Sequence, residues 1–213
     1  MCSSDLFQSG NLYVAMAGLD GINDFSLAKT LVDNTPYDTK KDGVLRGGSY
    51  WFVRWLYDRA GGDTAQPDGS LQGQGGPWLL RRLMAAPDSM AQALPLEVSA
   101  SWADVAVDFY TTLAASNRED KQLAAAVNPC FRFLPVVLDP VTQKPRGGNV
   151  FAKFHGTQMK GPASQKWSKA DKKLLAGGAD FVLLDASPDA PQLTLVVQVD
   201  ADALPRLRVV RIR

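Results

Sequence analysis

The sequence predicts an α+β chain, with an N-terminal helical domain followed by a small antiparallel β-sandwich, on three observations. First, residues 44–59 (VLRGGSYWFVRWLYDR) carry apolar side chains at helical spacing. Val44, Gly48, Trp51, Phe52, Trp55 and Leu56 fill one face, and Tyr50, Val53 and Tyr57 make most of the other side apolar too. Second, from Cys130 onward the period turns strand-like, with apolar runs at 131–138, 149–155, 180–184, 193–199 and 207–212. Third, Pro140, residues 145–148 (PRGG), residues 188–191 and Pro205 punctuate those runs, as the turns of a sandwich of short strands would.

The helix at 44–59 organises the first domain. It is expected to be buried nearly all round, with Arg54 and Asp58 four residues apart and able to pair along its one polar edge. Gly61 and Gly62 supply a left-handed C-cap. Gly47 and Gly48 near its start let a neighbouring backbone come close, which suits a central helix.

Residues 1–10 are read as a non-native or disordered start. They hold neither the basic and apolar regions of a signal peptide nor a lipobox before Cys2. The string from Cys2 to Leu6 looks like the translation of a sequencing adapter, so the chain is expected to be the C-terminal part of something longer; a disordered native terminus is the alternative. Leu12, Val14, Ala15, Met16, Leu19, Ile22 and Leu27 predict one or two short helices interrupted at Gly18 and Gly21, with Asp24 as an N-cap. Residues 33–43 form the polar loop entering the central helix, and residues 61–76 read as a flexible surface loop.

Pro77 opens a second helix. Trp78, Leu79, Leu80, Leu83 and Met84 are expected to bury one side of it, with Arg81 and Arg82 in water and Pro87 as the stop. Residues 88–94 make a further turn or short helix. Ser101-Trp102-Ala103-Asp104 resembles a capping box with Asp in the Glu position, opening a helix through Val105, Ala106, Phe109 and Leu113. The helical domain is thus expected over residues 11–125 and the sandwich over 129–213. Near the end, Arg206, Arg208, Arg211 and Arg213 alternate with apolar residues, as on an edge strand with a charged outer face.

Composition narrows the chemistry. With Lys+Arg 23 against Asp+Glu 22, no global field draws this chain to nucleic acid or anionic lipid, and no stretch is apolar enough to span a membrane. Two cysteines, Cys2 and Cys130, make neither a disulfide scaffold nor a zinc ribbon. The single histidine, His155, is too few imidazoles for most zinc or acid/base sites.

At the central helix, Leu45-Arg46-Gly47-Gly48 followed by Tyr50, Phe52, Arg54, Trp55, Leu56 and Asp58 resembles the Tyr-x-(Lys/Arg)-Gly signature region of gluzincin zinc metallopeptidases, as found in thermolysin-related aminopeptidases and hyicolysin-like bacterial surface peptidases. The segment 77–87, the helix from Ser101 to Tyr110, and the terminal Arg-Val-Val-Arg-Ile-Arg are similar to the late helices and accessory β-domain of that group.

The resemblance implies a zinc-bearing parent whose His-Glu-x-x-His helix, next-helix Glu and water-activating Glu are absent here. It assigns this chain no catalytic, cofactor-binding or metal-binding residue. The signature Tyr, which in the aminopeptidase branch steadies the oxyanion, aligns through Gly47 with Val44, which has no donor; Tyr37 and Tyr50 are the alternatives for that role. His155, between Phe154 and Gly156, is read as an ordinary strand histidine.

Other signals are weaker than their plain explanations. The lysines at 153, 160, 166, 169, 172 and 173, with Phe154 and Trp167 among them, read as a solvated loop rather than a phosphate-binding surface. Residues 73–77 (GQGGP) superficially resemble a phosphate-cradling turn but follow no predicted strand and lack the Lys-Ser/Thr ending. Asp180, Asp185, Asp189, Asp200 and Asp202 lack EF-hand spacing.

The expected function is therefore the non-catalytic C-terminal part of a secreted or envelope-associated metallopeptidase-like protein. Its partners are the missing N-terminal catalytic part and a peptide or cell-surface polymer, with no nucleic acid and no membrane span. The alternative is a stand-alone extracellular binding or adhesion module.

Overall fold

The computed structural model describes residues 9–27, 42–68, 70–86, 90–98, 100–116, 133–134, 137–138, 143, 145–146, 148–151, 153–154, 157–167, 174–184, 199 and 205–210. Cys2, Tyr37, Cys130, His155, Lys169, Lys172, Lys173, Asp185, Asp189, Asp200, Asp202, most of the run 193–199 and the last three residues lie outside these. The chain is α+β. Five α-helices are described: α1 (Ser9–Asp20), α2 (Asp42–Arg59), α3 (Gly76–Ala85), α4 (Met90–Val98) and α5 (Trp102–Ala115).

The central helix α2 is buried through Trp51, Phe52, Trp55 and Leu56, with Tyr50, Val53 and Tyr57 half-buried on its other side. It ends where the glycine pair predicts. Gly61 and Gly62 take φ of 103° and 60°, and their N–H groups donate to Asp58 O and Tyr57 O at 3.0 and 2.8 Å. That left-handed turn satisfies carbonyls the helix would leave unpaired. Helix α1 lies against α2 at a backbone-to-backbone seam: a Cβ on Gly18 would collide with Gly47, and one on Gly21 with the Val44 side chain. The buried Trp51 indole donates to Ala15 O across the same seam, at 2.9 Å.

Residues 61–76 are not a loose loop. Strand β1 (Asp63–Ala65) pairs antiparallel with β2 (Leu71–Gly73) in a hairpin. Its turn is closed by Asp68, whose Oδ1 accepts from Ser70 N at 2.8 Å and Ser70 Oγ at 2.6 Å. The residues are too polar to pack, but a backbone ladder needs no apolar side chains, and Asp and Ser supply the turn. The hairpin also corrects the reading of residues 73–77, which do follow a strand.

In α3, Leu79 and Leu83 are buried, whereas Trp78 and Met84 point outward, 57% and 85% exposed. The inner stripe of this 10-residue helix is narrower than its apolar composition predicts. Helix α5 has the expected start: Asp104 N donates to Ser101 Oγ at 3.2 Å and Ser101 Oγ to Asp104 Oδ2 at 2.6 Å. Asp24, read as an N-cap, instead lies inside a 3-10 turn, Ile22–Asp24, capped by Gly21.

Beyond residue 130, the described strands form three two-stranded ladders. β3 (Val137–Leu138) pairs with β4 (Pro145–Arg146) and β5 (Lys153–Phe154) with β6 (Thr157–Gln158), both antiparallel. β7 (Gln165–Lys166) pairs with β8 (Val182–Leu183) in parallel, which corrects the all-antiparallel expectation. Residues 205–210 form no strand, although Arg206 and Arg208 are exposed, and so are Leu207 and Val209.

Residues of both halves of the sequence contribute to one core. Phe133, Val150 and Met159 pack with Trp51, Phe52 and Phe109, and Phe133 meets Trp51 edge-on at 5.3 Å between ring centroids. Hydrogen bonds reinforce that seam: Leu27 N and Tyr110 OH both donate to Gly177 O, at 3.2 and 2.8 Å, and Phe133 N donates to Ser116 Oγ at 2.8 Å.

Candidate functional site

Two places merit description: the signature-like face of α2, and a cleft at the end of α1. On α2, Val44 is half-buried and packs against Gly21, the residue that follows α1. The position that the resemblance aligns with the signature Tyr is therefore covered by the turn after that helix. Gly47 and Gly48 are consumed by packing, the first against Gly18 and the second against the Phe25 ring. Tyr50, the alternative donor, is half-buried with its ring 5.1 Å from Trp51. Burial pushes its phenol well above the ordinary range, which the nearby Arg54 only partly offsets.

Further along α2, Arg54 and Asp58 form the predicted pair, deeper than the sequence indicates, at 8% and 5% exposure. Arg54 Nε donates to Asp58 Oδ2 at 3.0 Å, and Arg54 Nη2 meets Asp58 Oδ1 at 2.6 Å, out of hydrogen-bond alignment. Leu134 N also donates to Oδ2, at 3.0 Å, so the pair fastens α2 to the chain after residue 130. Burial raises the Asp58 carboxyl above its usual range, and the Arg54 charge and the two hydrogen bonds pull it back only in part. The arrangement is structural, with no open face on which a reacting group would sit.

The cleft lies between the last turn of α1 and residues 158–161. It is lined by Met16, Leu19 and Asp20 on one wall and by Gln158, Met159, Lys160 and Gly161 on the other, with a volume of about 150 Å³. Of these, Leu19 and Met159 are buried, and Asp20 and Lys160 are exposed. The walls are tied by Ala163 N donating to Leu19 O at 2.9 Å. Sequence reading missed this site, because its walls come from opposite ends of the chain and neither carries a motif.

The resemblance implies zinc in the parent protein, held by ligands outside this chain. The chain has one His, and among the described residues no group of three His, Cys, Asp or Glu side chains converges. Lys153, Lys160 and Lys166 are exposed, in keeping with a solvated segment, and Trp167 beside them is 50% exposed. Among the described residues, no helix is long and apolar enough to cross a membrane. No protein-family model, curated protein or solved structure matches this chain.

Proposed function

We propose that this chain is a non-catalytic part of a metallopeptidase-like protein, its helices forming one wall of a cleft. In this reading the residues after 129 complete a small accessory β-sandwich, and the setting is extracellular or at the cell envelope. The observation that carries it is the place of Val44. Where the aminopeptidase branch has a hydroxyl aimed at the developing oxyanion, this chain has an apolar side chain packed on Gly21. A helix used this way supplies shape and support, while any zinc chemistry belongs to residues outside this chain.

The test is direct. Purified chain should take up zinc no more tightly than micromolar and show no metal-dependent peptidase activity; stoichiometric tight zinc by elemental analysis overturns the reading. Sequencing the gene upstream of Phe7 provides the second arm. A His-Glu-x-x-His motif in frame supports the metallopeptidase parent, whereas a start or signal peptide directly before Asn11 favours a stand-alone binding module.

One observation favours that second reading. The half-exposed Trp78 indole is held from one side by Arg82, whose guanidinium lies 4.7 Å from the ring centroid and is itself forked onto Glu97 at 2.7 and 2.8 Å. An outward aromatic fixed by a bidentate ion pair is a ready contact surface.

A further inference from the structure

We propose that the cleft at the end of α1 binds a small zwitterion with an apolar side chain, an α-amino acid of about the size of leucine. The proposal stands apart from the metallopeptidase reading. Three observations converge on it.

The first is the apolar part of the lining. It comes from Leu19 and Met159, each 2% exposed, and from half-buried Met16, so two of its three side chains are thioethers that adapt to an aliphatic chain. A volume of about 150 Å³ is well short of the roughly 300–1,000 Å³ of drug-sized sites, which restricts the occupant to a small one.

The second is the pair of charges. Asp20 and Lys160, of opposite sign, come from the two separate segments that line the cleft, and neither forms an ion pair with a described residue. Asp20 is moreover the last residue of α1, which has no basic residue in its last turn. A carboxylate at the negative end of a helix dipole favours a cation, so the ligand's ammonium belongs on that side. Lys160 offers a point charge to the ligand's carboxylate.

The third is Gln158. Its amide nitrogen donates to Phe151 O at 2.6 Å and Met159 O at 3.0 Å, which fixes the side chain beside the cleft and leaves its carbonyl oxygen without a donor among those bonds, a further acceptor for a polar ligand.

The experiment labels the methionine methyl groups with carbon-13 in the full chain and titrates L-leucine. Met16 and Met159 resonances should move together while Met84, 85% exposed on α3, stays put. Asp20→Asn and Lys160→Gln should each weaken the response about threefold, the scale of one exposed charge contact. L-leucinamide and 4-methylpentanoate, each lacking one of the two charges, should weaken it likewise. L-tryptophan should not compete, being too large for the cleft. The proposal is overturned if Met16 and Met159 stay still up to the solubility limit of leucine, if Met84 moves with them, or if the two variants respond like the parent chain. Both substitutions are at exposed positions, and an unchanged near-ultraviolet circular dichroism signal from the buried Trp51 and Trp55 checks that each variant is folded.

Discussion

Gly18 of α1 and Gly47 of α2 touch backbone to backbone: a methyl group on Gly18 would strike the Gly47 carbonyl carbon and lie 2.5 Å from Gly48 N. Two helices meet so closely only where both lack side chains. Gly18→Ala should therefore force the helices apart and cost about 2–3 kcal/mol in urea unfolding, as overpacking does. The control is Gly43→Ala on the same seam. Its added methyl would sit an ordinary 3.5 Å from Ala17 Cβ, so helix propensity should make it neutral or stabilising by about 0.5 kcal/mol.

The Arg54 and Asp58 pair should behave as a buried ion pair. Asp58→Ala strands the guanidinium and the Leu134 N–H and should cost about 3–5 kcal/mol, whereas Arg54→Met with Asp58→Met together should recover much of that loss. The pH dependence has a definite sign. Because burial raises the Asp58 carboxyl in the folded state, its contribution is fully present below the unfolded pKa and is lost as pH rises through the folded one. The parent chain should accordingly gain stability relative to Asp58→Asn as pH falls toward the ordinary carboxylate value of about 4, measured by denaturant midpoints.

Trp51 and Trp55 are both fully buried, yet only Trp51 has a hydrogen-bond partner for its indole, Ala15 O at 2.9 Å; Trp55 Nε1 has none among the described residues. Replacement by Phe removes a similar ring volume at each site but a hydrogen bond at only one. Trp51→Phe should cost about 1 kcal/mol more than Trp55→Phe in equilibrium unfolding. Trp78→Ala, on the surface, should change stability by no more than about 0.5 kcal/mol.

Tyr50 and Tyr110 set an alkaline limit. Burial holds both phenols far above the ordinary value of 10.0, so the unfolded chain releases their protons first and stability falls as pH rises past that value. Phenolate absorbance should show Tyr50 and Tyr110 ionising only together with loss of the near-ultraviolet circular dichroism signal. Tyr110→Phe should remove one of them and cost about 1 kcal/mol at neutral pH through the lost bond to Gly177 O.

Features that rest on neighbours in sequence were legible. The glycine cap after α2, the Ser101 and Asp104 cap of α5 and the Arg54 and Asp58 pair each require only positions two to four apart on a helix or turn. Trp78 and Met84 were misread because apolar composition does not say how wide a helix's buried stripe will be. The hairpin of β1 and β2 was missed because its ladder uses backbone groups beneath polar side chains. The cleft gave no local signal at all, since Met16 and Met159 meet only in the folded chain.

The amino-acid order alone settled that this is an α+β chain with one nearly all-apolar helix at its centre and a single imidazole, because helical period and residue counts are local or global properties that need no coordinates. The three-dimensional arrangement decided which glycines serve as helix contacts, that Asp58 reaches Leu134, that β7 and β8 run parallel, and that Asp20 and Lys160 line one cleft. Those depend on which distant surfaces find each other, and such pairings are fixed by the shape and volume of the whole core rather than by any stretch of it.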